Sequence, residues 1–179
     1  MNWTLQGSDE VVVHAPPERV WALLEDGPRL TEWMPIVKAT TGQVEMLGAE
    51  RTCEVEFEGK RGQVTEQCVE CEPPRHIAWR LVDDSLGFQR LFADLAFSFT
   101  LEPRGGRTTL IRNETYYRPR SVLAQLLSLL VMRRKFRGIR LAVLDNLRRL
   151  SESPAPATVS EPDTRLRGSS TGPEQRRQR

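Results

Sequence analysis

The segment VVVHAPPERVWALLEDGPRLTEWMP, Val11 to Pro35, decides the fold of this chain. Its β-branched run predicts a strand that ends at a double proline, because proline cannot donate a ladder hydrogen bond. The second proline, Pro17, suits the first turn of a helix. The apolar residues that follow recur at helical spacing and are Val20, Leu23 and Leu24. A second helical turn closes at Trp33, so the chain opens as strand, helix, helix.

The chain has 179 residues, which predicts a single domain. Residues 152–179 contain no aromatic side chain and few large apolar ones. Such a stretch cannot bury enough apolar surface to offset the entropy lost on ordering. We therefore expect a folded domain over residues 1–151 and a disordered polar tail over residues 152–179.

Composition and charge exclude several classes of protein. A net charge of +2 gives no indication of nucleic-acid binding, and no apolar run reaches the roughly 18 residues that a membrane-spanning helix needs. Three cysteines without an export signal predict a reduced, cytoplasmic protein. Neither a phosphate-binding glycine loop nor a metal-ligand spacing occurs, so no cofactor and no metal are expected.

Six further stretches with strand character follow the helix pair at hairpin spacing. With the first strand, residues 4–14, the predicted set is 37–46, 51–58, 63–72, 76–82, 90–102 and 108–117. Side chains alternate clearly in the third strand, where Cys53, Val55 and Phe57 share one face. Strands at this spacing pair as antiparallel neighbours rather than through helical crossovers.

A long helix is predicted over residues 121–150, which contain no proline and one glycine, Gly138. At 1.5 Å per residue it extends on the order of 45 Å. Apolar residues spaced by three or four form a predicted packing seam: Val122, Leu126, Leu129, Met132, Phe136, Ile139, Val143, Leu147 and Leu150. The first half carries a second apolar set: Leu123, Leu127, Leu130 and Val131. Arg140, in the second half, is expected to face water.

The order and spacing of these pieces resemble the START-like, Bet v 1-like superfamily, and within it the polyketide cyclase/dehydrase-like bacterial members. The matching pieces are HAPPERVWALLED, LTEWMP, CVECEPPRHIAWR, GGRTTL and RRKFRGIRLAVLDNLRRL, and they cover roughly Gly7 to Glu152. The resemblance implies an α+β helix-grip fold, in which a curved seven-stranded antiparallel sheet wraps around the long C-terminal helix and leaves a cavity. Relatives range from ligand carriers to cyclases and lipid-transfer proteins, so the fold does not fix the function.

The resemblance also suggests which residues line that cavity. We predict a lining made of Trp33, Phe57, Trp79, Phe97, Phe99, Tyr116, Leu126, Leu129 and Met132. Apolar walls with a few polar groups are the usual anatomy of a small-molecule site. The alternative is that each of these side chains belongs to the ordinary core.

Arg112, Glu114 and Tyr116 alternate on the last strand and therefore share one face of the sheet. If that face is the inner one, a charged pair and a phenol enter the cavity, where they could orient a ligand or act as catalytic acid and base. If it is the outer face, they form a solvated strand surface. The sequence leaves both alternatives open.

The histidines and cysteines are interpreted as structural. Neither His14 nor His76 has an evident orienting partner, which a general base needs. Cys68 and Cys71 have C-x-x-C spacing, but within a strand an offset of three places them on opposite faces.

Three functions remain as hypotheses. The first is binding of a hydrophobic or amphipathic small molecule such as a lipid, a quinone or a polyketide-like compound. The second is a cyclase or dehydratase that uses an inward polar pair. The third is peripheral contact with a membrane or a partner through the apolar half of the long helix, which precedes a basic cluster: Arg133, Arg134, Lys135, Arg137 and Arg140.

Overall fold

The computed structural model describes residues 3–42 and 46–153. Seven strands in this part of the chain form one sheet: β1 (Leu5–Val13), β2 (Val37–Gly42), β3 (Glu50–Phe57), β4 (Lys60–Glu72), β5 (His76–Asp84), β6 (Phe92–Pro103) and β7 (Thr109–Pro119). Their order is β1-β7-β6-β5-β4-β3-β2, and every neighbouring pair is antiparallel. With the long C-terminal helix, this sheet confirms the predicted α+β helix-grip fold.

The strand bounds depart from the prediction where local hydrogen bonds take over. A short helix, α3 (Phe88–Leu91), replaces the predicted start of β6. The carboxylate of Asp84 accepts hydrogen bonds from the backbone N–H groups of Phe88 and Gln89, at 2.8 and 2.9 Å, which satisfies donors at the helix start. Residues 43–45 of the predicted second strand and the predicted tail beyond Ser153 lie outside the described residues.

The helix pair after β1 is as the sequence predicts. The helix α1 (Pro17–Glu25) has proline at its first position, and α2 (Leu30–Trp33) follows after one 3₁₀ turn. The indole Nε1 of Trp33 donates to the carbonyl of Leu23 at 3.0 Å and joins the two helices. The fully buried Trp33 ring packs edge-on against Phe99 of β6, so the helix pair is fixed to the sheet.

The long helix is continuous from Val122 to Glu152 and has three parts: α4 (Val122–Leu127), a π-helical turn (Ser128–Met132) and α5 (Arg133–Glu152). In α5 the predicted seam is buried or partly buried, with Val143 and Leu147 in the core. In the first part the seam prediction is wrong, because Val122, Leu126 and Leu129 are 80%, 51% and 48% exposed.

Small and polar residues take the inward positions at the start of the long helix. Ala124 and Ser128 are buried there, and the Ser128 hydroxyl hydrogen-bonds to the Tyr117 hydroxyl at 2.8 Å. The π-helical turn adds residues to one turn and so changes the phase of the helix before α5 begins. The apolar residues of the predicted seam consequently face outward until Met132.

Candidate functional site

A cavity of about 110 Å³ lies between the sheet and the long helix. Its apolar lining from the sheet is Val37, Val55, Phe57, Val64, Leu81, Leu95, Ala96 and Phe97. The helices contribute Leu30, Phe88, Phe136, Ile139 and Val143, and the link between α2 and β2 contributes Met34 and Ile36. Its polar lining is Arg51, Glu66, Asn113, Thr115 and Arg140. An apolar pocket with a few inward polar groups can enclose the apolar body of a small molecule and orient its polar part.

Three rings of the lining form a cluster. The Phe57 ring lies 5.3 Å from Phe88 and 6.4 Å from Phe136, measured between ring centres. All three rings are partly exposed, whereas the lining residues Leu30 and Val37 are buried. These rings are therefore one part of the lining that reaches solvent.

The central polar feature is a buried ion pair between β3 and β4. Arg51 is 2% exposed, and its Nε donates to Oε2 of Glu66 at 2.7 Å. The guanidinium carbon lies 4.3 Å from the centre of the Trp79 ring and 5.9 Å from that of Phe97. Such a position gives the cation both a carboxylate partner and favourable aromatic faces.

Sequence reasoning missed this pair, although a signal was present. Alternation along β3 places Arg51 on the same face as Cys53 and Val55, and alternation along β4 places Glu66 with Val64. The two charged residues face each other directly across the strands. Opposite charges at matching inward positions of neighbouring strands could have indicated a buried pair.

A second buried arginine connects the long helix to β1 and β7. Arg140 donates from Nε to Asp9 at 2.8 Å and from Nη1 to the hydroxyl of Thr115 at 3.1 Å. Gly7 gives it room, since a Cβ there would lie 2.8 Å from the guanidinium carbon. The expectation that Arg140 faces water is therefore wrong. Asp9 also pairs with Arg137, so this carboxylate serves two helix cations.

The three candidate catalytic residues lie on the outer face of the sheet. Asn113 and Thr115 of the same strand line the cavity, so the alternating Arg112, Glu114 and Tyr116 point away from it. This corrects the hypothesis of an inward polar pair formed by these residues. The strand alone could not show its inner face, because Leu110 and Ile111 are apolar on both sides.

On that outer face the three residues have ordinary surface partners. Arg112 pairs with Glu10 at 2.6 Å and with Glu102 at 3.1 Å, and the hydrogen bond to Glu10 raises the pKa of Arg112. The Tyr116 hydroxyl donates to Glu114 at 2.8 Å, while partial burial raises the pKa of Tyr116 to about 12.

The predicted cavity residues divide into three groups. Phe57 and Phe97 line the cavity. Trp33, Trp79 and Phe99 are fully buried against one another outside its lining, and Met132 packs with Phe92 and Tyr117. The remaining three predicted residues, Tyr116, Leu126 and Leu129, face away from it.

His76 has the partners that the sequence did not reveal. Its Nδ1 lies 3.0 Å from the Thr100 hydroxyl and its Nε2 lies 2.9 Å from a Glu70 carboxylate oxygen. These groups lie on the outer face, because Ile77 and Trp79 are the inward residues of β5. The network is therefore separate from the cavity.

Cys68 and Cys71 are on the same face of the sheet, which corrects the expectation of opposite faces. A register shift between β4 and β5 adds one residue between them, and their thiols interact by a hydrogen bond. Burial raises the pKa of Cys68 to about 11, and burial likewise raises the pKa of Cys53 to about 11. Thiols of this kind are poor nucleophiles at neutral pH.

No helix within residues 3–42 and 46–153 is both long and apolar enough to cross a membrane. Within the same two ranges, no group of three or more His, Cys, Asp or Glu side chains is arranged to hold a metal ion.

Comparison with known proteins identifies the family. The model of a family described as polyketide cyclase / dehydrase and lipid transport matches residues 4–152. The chain belongs to this family. The matched residues include every strand of the sheet and the long helix, and thus all the residues that line the cavity. The comparison with curated proteins gives no match.

Solved structures of other proteins share the fold of this chain. A START superfamily protein from Mycobacterium smegmatis has a TM-score of 0.62 and 16% identity, over 80% of this chain and 97% of that one. The Zhui aromatase/cyclase from a Streptomyces species has a TM-score of 0.60 and 18% identity, over 80% and 93%. A major latex-like protein from Panax ginseng has a TM-score of 0.57 and 12% identity, over 82% and 99%. At identities this low, the structural similarity shows a shared fold and nothing further.

Proposed function

We propose that this protein binds an amphipathic small molecule in the cavity between the sheet and the long helix. The observation that carries the proposal is an apolar cavity with a buried ion pair, Arg51–Glu66, in its wall. Burial of apolar ligand surface supplies about 25 cal/mol per Å². The few polar groups of the wall then determine how the ligand is oriented.

The size of the cavity limits what it accepts without rearrangement. Its volume of about 110 Å³ is below the roughly 300–1,000 Å³ of drug-sized sites, and apolar cavities of about 150 Å³ bind benzene. A molecule with one ring or a short alkyl chain therefore suits the closed form. A lipid, a quinone or a polyketide-like compound requires the walls of the cavity to move apart.

Native mass spectrometry of the gently purified protein tests the proposal. We expect an added mass that organic solvent extracts, and its loss in Ile139→Trp, because the larger side chain fills space between the helix and the sheet. Leu141→Trp on the exposed side of the same helix is the matched control and keeps the added mass. An unliganded mass for the wild-type protein, together with no binding of added single-ring compounds, contradicts the proposal.

A second candidate function is contact with an anionic membrane through the start of the long helix. Five large apolar side chains there are about half exposed or more: Val122, Leu123, Leu126, Leu129 and Leu130. The exposed Arg133, Arg134 and Arg137 follow on the next turns. An exposed apolar face beside basic residues is typical of helices that lie on anionic lipid surfaces.

Vesicle flotation tests this second candidate. We expect the protein to float with vesicles of phosphatidylcholine and phosphatidylserine, and Leu123→Glu/Leu130→Glu to remain at the bottom of the gradient. Leu141→Glu, another exposed leucine of the long helix, is the control and floats like the wild type. Equal behaviour of the three proteins removes this candidate.

The cyclase or dehydratase alternative now depends on other residues than the sequence suggested. Glu66 is the one carboxylate among the described residues that line the cavity, and Arg51 holds it. A reaction that moves a proton within the cavity would use this carboxylate. Unchanged turnover of a confirmed substrate by Glu66→Gln would exclude this role.

A further inference from the structure

The unused hydrogen-bond donors of the core are concentrated beside the cavity. Within residues 3–42 and 46–153, three buried side-chain nitrogen or oxygen atoms have no hydrogen-bond partner: Nη1 and Nη2 of Arg51 and Nε1 of Trp79. The two side chains are stacked, with the guanidinium carbon 4.3 Å from the Trp79 ring centre. All three atoms can only donate.

Such an arrangement is unusual because buried polar groups nearly always have partners. Arginine stays charged in proteins, so Arg51 cannot remove the mismatch by losing a proton. Glu66 supplies a counter-charge but engages only Nε. The terminal nitrogens of the guanidinium therefore keep their donor capacity, in a side chain that forms part of the cavity wall.

Each of the other polar side chains of the wall has at least one hydrogen-bond partner. The amide nitrogen of Asn113 donates to the Ser98 carbonyl at 2.9 Å, and Thr115 accepts from Arg140. Arg140 in turn is neutralised by Asp9. Among the described residues, Arg51 is the polar lining side chain whose terminal donors have no partner in the protein.

We propose that the ligand presents an oxygen acceptor, either a carbonyl or a carboxylate, to Nη1 and Nη2 of Arg51. This inference rests on the proposed binding function and specifies the chemical class of the ligand. Glu66 already balances the charge of Arg51, so a neutral carbonyl is sufficient to satisfy the unpaired donors. A carboxylate accepts from both nitrogens in the planar geometry that arginine favours.

Three single-ring probes of similar shape separate this inference from the binding function itself. Ethylbenzene has no acceptor, acetophenone has a neutral carbonyl and benzoate has a carboxylate. Titration calorimetry of the full-length protein at pH 7 should show binding of all three. Acetophenone or benzoate should bind about tenfold to a hundredfold more tightly than ethylbenzene, which is the range for hydrogen bonds to a charged group.

Variants at the ion pair assign that preference to Arg51. Arg51→Met/Glu66→Gln removes both charges at nearly constant volume and should bind the three probes with equal affinity. Arg51→Lys keeps a cation beside Glu66 but lacks the two terminal nitrogens of the guanidinium, so it should reduce the preference for acetophenone or benzoate over ethylbenzene. This variant provides the test if the double variant does not fold. Arg112→Met, an arginine on the outer face, is the control and should keep the wild-type preference.

The outcomes are distinguishable. Equal affinity of the wild type for all three probes overturns the role of Arg51 and leaves the binding function intact. A preference that persists in both Arg51 variants also overturns it. Absence of binding for all three probes contradicts the binding function together with this inference. A preference for benzoate alone or acetophenone alone supports the inference and decides between anion and carbonyl.

Discussion

At the scale of single residues, the buried pair of Arg51 and Glu66 is the most informative feature of the cavity. A guanidinium that is 2% exposed needs compensation, and it has one carboxylate and two aromatic faces. Removing one partner of such a pair leaves an uncompensated buried charge, whereas removing both does not. The pair should therefore show strong energetic coupling.

A double-mutant cycle tests that coupling. Arg51→Met and Glu66→Gln should each lower the free energy of unfolding by about 3–5 kcal/mol, and the double variant by clearly less than their sum. Arg61 and Glu56 provide a matched control, because they face each other on the same two strands but Arg61 is 86% exposed. Their coupling should be about 0–1 kcal/mol in urea unfolding. Additive effects at Arg51 and Glu66 would contradict the described pair.

The buried cysteines make stability depend on pH in the alkaline range. Burial raises the pKa of Cys53 and Cys68 from 9.0 to about 11. Between these values the native chain binds more protons than the unfolded chain, so the free energy of unfolding falls as pH rises from about 9 to 11. Their contribution is fully present below pH 9.

Urea unfolding at several pH values measures this slope. We expect Cys53→Ala/Cys68→Ala to lose part of the wild-type decrease between pH 9 and 11, whatever its stability at pH 7. Tyr116→Phe should lose part of the decrease in the free energy of unfolding between pH 10 and 12, because the pKa of Tyr116 is raised to about 12. A cysteine variant with the full wild-type slope would show that the thiols are not buried as described.

At the scale of elements, the long helix shows how far periodicity reaches. Its second half is amphipathic, and there the predicted seam is the buried one, as Val143 and Leu147 show. Its first half is apolar on nearly all sides, so the spacing of apolar residues does not show which side of the helix faces the sheet. The buried side is instead determined by Ala124, by the Tyr117–Ser128 hydrogen bond and by the π-helical turn. The spacing of apolar residues reveals none of these three features.

The helix phase predicts opposite effects at neighbouring positions. Leu126→Gln and Leu129→Gln should change the free energy of unfolding by no more than about 0.5 kcal/mol, because both side chains are half exposed. Ala124→Leu should lower it by about 1–3 kcal/mol through overpacking. Chemical denaturation provides the measurement. The reverse ranking would support the seam that the sequence suggests.

Strands were more predictable than this helix because one face of the sheet is buried. The inward positions of β3 alternate as Arg51, Cys53, Val55 and Phe57, and the apolar members alone identify the face. Arg51 occupies an inward position and Glu66 faces it from β4, although charged side chains are rarely buried. The last strand has apolar residues in both phases, so its inner polar residues, Asn113 and Thr115, appeared only in the structure.

At the scale of the whole molecule, the sheet and the long helix form two walls that several ion pairs hold together. Asp9 on β1 pairs with Arg137 and Arg140, and Glu58, after β3, pairs with Lys135. Between these attachments lie the cavity and its three partly exposed rings. The family contains proteins of different activities, so the contents of this cavity decide the function.

Methyl NMR of the full-length protein with ethylbenzene tests the central claim, ligand binding inside the cavity, most directly. Chemical-shift changes should saturate at the methyl groups of Val55, Val64 and Val143, which line the cavity. They should be small at the exposed Leu123 and Leu130, and they should disappear from the cavity residues in Ile139→Trp. Shift changes confined to the exposed leucines, with unchanged cavity valines, would contradict the claim.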